Sequence, residues 1–106
     1  MDWQVETTAS ALIGRPIGKI DETNWEVFQA RLLEAVSAAG SASLPLFLDL
    51  SQLDYMSVRG LYALKIVKDA AGDKTPITLA APNERMRQII EISRYNKLFK
   101  VVADVD

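Results

Sequence analysis

The sequence predicts a single α/β domain on a mainly parallel sheet, and three observations lead there. The chain has 106 residues and an ordinary mix of apolar and charged side chains, which suits one domain with one core. Leu46-Phe47-Leu48-Asp49-Leu50 is apolar at nearly every position, as a strand covered on both faces must be. Runs of strand length then alternate with longer segments whose apolar residues recur every three or four positions. The order is β-β-α-β-α-β-α-β. Such alternation implies parallel strands joined by right-handed crossovers, with the two opening strands adding an antiparallel edge.

The elements follow in order. Residues 3–20 read as two strands: Val5, Thr7 and Thr8 favour extended structure, and Ala11-Leu12-Ile13 follows closely. Gly14, Pro16 and Gly18 interrupt this part. Thr23-Asn24-Trp25-Glu26 fits a capping box, so Thr23 is the expected start of the first helix. Trp25, Phe28, Leu32, Val36 and Ala39 give it one apolar face, read as core, and Gly40 is its expected stop. Leu61, Leu64, Val67 and Ala71 mark a second helix, closed by Gly72. Ile77-Thr78-Leu79-Ala80-Ala81 is a strand ended by Pro82. Asn83 caps a third helix with Met86, Ile89, Ile90 and Ser93 on one side. Leu98-Phe99-Lys100-Val101-Val102 is the last strand.

Composition excludes much chemistry. There is no cysteine and no histidine, so disulfides, thiolate nucleophiles, imidazole bases and the usual zinc ligands are absent. A net charge of −2 without a basic run argues against nucleic acid. No stretch reaches the ~20 apolar residues that span a bilayer, and the first residues do not form a signal peptide, so a cytoplasmic protein is expected. Carboxylates at Asp21, Glu22, Asp49, Asp54 and Asp73 lack a metal-loop spacing and read as solvated charges. Ser57 and Lys65 form the one conceivable nucleophile pair, without any other feature of an acyl-transfer site. No cofactor motif is present: Gly14 and Gly18 match neither phosphate-loop pattern. The expectation is a binding domain, with neither metal nor cofactor, rather than an enzyme.

One junction stands out. Asp49 and Ser51 follow the buried strand, and Tyr55-Met56-Ser57-Val58-Arg59-Gly60-Leu61 leads into the second helix. A helix start presents unpaired N–H groups and attracts anions. Arg59 sits at its positive end, where a cation is mildly unfavourable. It either pairs with Asp54 or Glu22 or faces an acidic partner, and the sequence leaves both open.

The stretch from Asp49 to Leu61, DLSQLDYMSVRGL, resembles the signature D-L-S-x-[VL]-x-[YF]-[MI]-[DS]-S-[ST/A]-G-L of STAS domains. Gly18-Lys19-Ile20-Asp21 resembles the family's G-x-[LI]-D before its first helix. The block from Met86 to Ser93, followed by Lys97-Leu98-Phe99, is similar to its last shared helix and strand. The resemblance runs over residues 5–102. It implies a four-to-five-stranded sheet with helices packed on one side, and a function like that of bacterial anti-sigma-factor antagonists. Those bind an anti-sigma factor, often a serine kinase of the GHKL type. The kinase phosphorylates a serine at the start of the second helix and so breaks the complex, and a PP2C-type phosphatase restores it. The resemblance places partner binding on Asp21, Glu22, Thr23, Tyr55, Ser57, Val58, Arg59, Gly60 and Tyr62.

This chain departs from the pattern where the switch operates. Val58 occupies the position of the phosphorylated serine, Ser57 precedes it as the possible substitute, and Arg59 replaces a small residue. Arg94 and Tyr95 stand where the family has Gly-Leu. The leading expectation is an antagonist-like domain in a partner-switching pathway. The alternative is an adaptor or structural subunit of a larger assembly, such as a stress-signalling complex or transporter, without a phospho-switch.

Overall fold

The computed structural model describes residues 1–105. The chain runs β1 (Asp2–Thr7), β2 (Leu12–Ile20), α1 (Trp25–Ser41), β3 (Leu46–Asp49), β4 (Leu53–Met56), α2 (Val58–Ala71), β5 (Ile77–Ala80), α3 (Glu84–Ile92), a 3₁₀ turn (Tyr95–Lys97) and β6 (Lys100–Val102). One sheet holds all six strands in the order β1-β2-β3-β5-β6, with β4 paired to β2 farther along. Only β1 is antiparallel, and β3 is interior between β2 and β5, as its apolar run requires. The mixed α/β fold expected from the sequence is present, with six strands instead of four or five.

The extra strand is β4, and its pattern explains why the sequence concealed it. Leu53 and Met56 are both buried although three residues apart, which strict alternation forbids. The register with β2 shifts: Gly18 faces Leu53, but Lys19 faces Tyr55. Asp54 is thus an extra residue in a bulge, and the bulge turns both apolar side chains inward.

β2 also runs on where interruption was expected. Its residues Leu12, Ile13 and Gly14 pair with β3, and Gly18, Lys19 and Ile20 pair with β4. The bonds Leu12 N–H to Pro45 O and Gly18 N–H to Gln52 O show that even-numbered residues of β2 point to this edge. Pro16 is the even position between the two ladders. It lacks an N–H where no partner strand waits for one, so nothing is lost. Gly18 takes φ +99°, a conformation that favours glycine, at the switch. Gly14 is needed for space: a Cβ there would sit 2.8 Å from the Trp3 ring.

The helices cover one face. Leu12, Leu46, Leu48, Ile77 and Leu79 pack against Phe28, Leu32, Ala35, Ala39, Ala63, Leu64, Val67, Met86 and Ile90 in one core. Each large side chain so buried contributes about 1.5–3 kcal/mol. The alternate residues Ile13, Arg15, Phe47, Asp49, Thr78 and Ala80 form the helix-free face.

Three expected boundaries move. The first helix starts after Asn24, not Thr23. The Thr23 hydroxyl donates to Asp21 Oδ1 at 2.6 Å, so the capping box does not form. That helix passes through Gly40 and ends at Ser41, with Ser43 taking the left-handed conformation instead. The last strand begins only at Lys100, because the Leu98 and Phe99 N–H groups donate the closing bonds of the 3₁₀ turn to Tyr95 O.

Candidate functional site

The parallel pairing of β2 with β4 delivers two helix starts side by side. Ile20 faces Met56 across the ladder, and the Ser57 N–H donates to Ile20 O at 2.8 Å. The chain then diverges, into the 21–24 turn and α1 on one side and into α2 on the other.

Side chains lock the 21–24 turn. Asp21 Oδ1 accepts from the Thr23 N–H at 2.9 Å and from its hydroxyl. Asn24 Oδ1 accepts from the Asp21 N–H, and Asn24 Nδ2 donates to Lys19 O, both at 2.9 Å. The hydrogen bonds from Thr23 hold the Asp21 carboxyl below its ordinary pKa. The turn therefore keeps an ionised carboxylate in one place.

The start of α2 combines a buried cap with an exposed apolar residue. Ser57 is the N-cap, only 7 % exposed, and its Oγ accepts from the Gly60 N–H at 3.3 Å. Val58 follows at 79 % exposed and Tyr62, one turn on, at 57 %. Apolar residues this exposed in adjacent turns form a ridge of one helix face. Gly60 is buried: a Cβ would lie 2.6 Å from Met56 Cγ and 2.7 Å from Ile20 Cγ2. Expected at the partner surface, it serves instead to let α2 press against the ends of β2 and β4.

Arg59 joins the two helix starts. Its Nε lies 3.6 Å from Glu22 Oε2, and its guanidinium stands over the Trp25 ring at 5.5 Å from the centroid. Of the two pairings considered, Glu22 is the one formed. Both side chains are more than half exposed, so the pair adds at most about 1 kcal/mol, and the stack on Trp25 a similar amount.

Asp21, Glu22, Thr23, Ser57, Val58, Arg59 and Tyr62 are thus gathered around the two helix starts. Tyr55 is at the margin, because it alternates with Met56 and projects from the opposite sheet face. Trp25 was missed. Phe28 is core as expected, but Trp25 is only half-buried under Arg59. Its position at the edge of the apolar arc of α1 was the available signal.

Lys65 bonds to Asp69 at 3.1 Å and lies about two turns along α2 from Ser57, roughly 12 Å by helix rise. Asp49 belongs to a different arrangement, on the helix-free face with Arg15. Among the described residues, no three potential metal ligands converge.

A family model for the STAS domain matches residues 2–106. The chain belongs to the STAS domain family. Solved structures agree on the fold. A Thermotoga maritima protein assigned as an anti-sigma factor antagonist superposes with a TM-score of 0.83 at 13 % identity, over 97 % of this chain and 87 % of its own. An anti-sigma factor antagonist from Mycobacterium paratuberculosis gives 0.81 at 23 % identity, over 99 % and 87 %. The unphosphorylated anti-sigma factor antagonist SpoIIAA gives 0.67 at 17 %, over 94 % and 87 %. No curated protein matches significantly in sequence. At these identities the likeness extends to the STAS fold and not to a particular partner.

Proposed function

We propose that this STAS domain is an anti-sigma-factor-antagonist-like binding protein that holds its partner without a phosphorylation switch. The observation that carries this reading is Val58. It stands at the family's phosphoserine position and is 79 % exposed, so the position is open to a partner and has no hydroxyl to modify. Ser57 is a poor substitute. Its oxygen is buried and occupied as the helix cap, and a kinase reaches it only if the first turn of α2 opens. A one-residue displacement also spoils the alignment that phosphoryl transfer demands.

The partner surface is the Val58–Tyr62 ridge flanked by Arg59, Trp25 and the 21–23 turn. Exposed Tyr, Trp and Arg are the side chains that most often anchor interfaces. The partner is an anti-sigma factor of the GHKL serine-kinase type, met in the cytoplasm. Among the described residues, no helix is long and apolar enough to cross a membrane. A PP2C-type phosphatase would find no substrate at Val58. The same valine also favours a second reading, an adaptor subunit of a larger assembly with no kinase involved.

One experiment separates them. The purified chain and Val58→Ser are incubated with GHKL-type anti-sigma factors of the source organism and ATP, then followed by binding and mass spectrometry. The native chain should stay bound and unmodified, Val58→Ser should gain phosphate and dissociate, and Arg59→Glu should bind more weakly with only a small change of melting temperature. Rapid, stoichiometric phosphate on native Ser57 would return the switch. No binding to any such factor would favour the adaptor.

A further inference from the structure

A sheet that is not closed leaves strand edges whose free N–H and C=O groups pair with any suitable strand. Among the described residues three such edges occur, and two are protected. The outer edge of β4 is stopped by α3: Asn83 Nδ2 donates to Leu53 O at 2.8 Å. β6 is only three residues long and carries Lys100. β1 is six residues, pairs with β2 in continuous register without a bulge, and contains no Pro, Lys or Arg.

The direction of its backbone groups follows from the hairpin. The Thr8 N–H donates to Ala11 O, so even-numbered residues of β1 face β2. Trp3, Val5 and Thr7 therefore turn their N–H and C=O groups outward. Val5 is also half exposed, on the helix-covered side of the sheet.

We propose that β1 pairs antiparallel with β1 of a second copy of this chain, about a two-fold axis at Val5, to make one continuous sheet across a dimer. The strand's own charges select this register. With the axis at Val5, Trp3 meets the second copy's Thr7, Val5 meets Val5, Gln4 meets Glu6 and Asp2 meets Thr8. The three outward residues form the bonded pairs, and no like charges oppose. An axis at Gln4 sets Asp2 against Glu6 twice, and one at Glu6 sets Glu6 against itself. Opposed like charges disfavour both. An axis at Trp3 pairs fewer residues. The contact is isologous and therefore closes as a dimer. It does not use the helix-start surface, so it stands or falls independently of the proposed partner binding.

Sedimentation equilibrium on the full chain, from about 10 μM to 1 mM, tests this over the range of a weak homodimer. The native chain should show a concentration-dependent dimer. Val5→Pro removes an outward N–H and leaves the β1–β2 bonds intact, so it should be monomeric with an unchanged circular dichroism spectrum. Gln4→Lys places a lysine against the second copy's Glu6 in two symmetric pairs and should tighten the dimer roughly two- to thirty-fold, since its repulsion from Arg15 on the neighbouring strand of its own chain acts in monomer and dimer alike. The axis at Gln4 would oppose the two lysines and weaken it instead. A native chain monomeric throughout, a dimer that persists in a folded Val5→Pro, or a dimer weakened by Gln4→Lys would each overturn the proposal.

Discussion

Arg15 Nε donates a 2.7 Å hydrogen bond to Asp49 Oδ2 on the sheet face that carries no helix, tying β2 to β3. Arg15 also reaches Glu6 on β1 at 3.6 Å, so one guanidinium spans three strands. The other Asp49 oxygen accepts from the Ser51 N–H at 2.9 Å, which fixes the chain as it leaves β3 for β4. Asp49 opens the family motif, and its work is structural: it shapes the connection that brings β4 beside β2.

Removing either partner should therefore destabilise the fold. Arg15→Ala leaves a buried carboxylate with Ser51 as its remaining hydrogen-bond partner, and should cost about 2–4 kcal/mol in urea unfolding. A loss under about 0.5 kcal/mol would mean the pair is no stronger than a surface contact.

Acid should weaken the protein through the same group. Burial pushes the Asp49 carboxyl up, but the hydrogen bonds from Arg15 and Ser51 outweigh it, and its pKa lies below the ordinary carboxylate value. Between that lowered value and the unfolded value of about 3.9, the unfolded chain binds the extra proton, so stability rises with pH there. The contribution is complete above the unfolded value and is lost as pH falls through the folded one. Asp21 titrates in the same sense. Asp49→Asn should be less stable at neutral pH and show a shallower loss of stability as the pH falls below about 4 in unfolding series. An identical acid slope would remove Asp49 from the account.

Leu48 is fully buried in the interior strand, against core residues of the helices. Leu48→Ala should cost about 2–5 kcal/mol in denaturant unfolding. A surface-like change, within about 0.5 kcal/mol, would be incompatible with an interior β3.

The start of α2 tests packing and capping separately. Gly60→Ala drives a methyl into Met56 and Ile20 and should cost about 1–3 kcal/mol as overpacking. Ser57→Ala loses the cap bond and should cost about 0.5–2 kcal/mol. If Ser57→Ala leaves the thermal midpoint unchanged, the hydroxyl is free for other chemistry, phosphorylation included.

Much of this was legible in the residues. The run around Leu48 announced an interior strand, and Asn83 and Gly72 marked real helix ends. Met86 N–H bonds to Asn83 Oδ1 at 2.9 Å, as its cap reading requires. What the sequence hid came from tertiary pairing. Leu53 and Met56 have no alternating pattern until a bulge at Asp54 turns both inward. Thr23 looked like a cap, but a nearby carboxylate captured its hydroxyl. Pro16 reads as a strand breaker, and only the split between the β3 and β4 ladders makes it harmless. At the site, Gly60 belongs to the family motif for reasons of space, which a motif does not distinguish from a role in binding.

The two tryptophans give the molecule a built-in optical readout. Trp3 sits over Gly14, edge-on to Phe28 at 6.4 Å between centroids, so its emission follows the integrity of the core. Trp25 lies at the surface beneath the Arg59 guanidinium, and its emission follows whatever touches or displaces that cation. Trp3→Phe would leave a chain whose indole fluorescence comes from the helix-start surface alone. Occupation of that surface could then be titrated without a label, while Trp25→Phe would report unfolding and ignore the binding event.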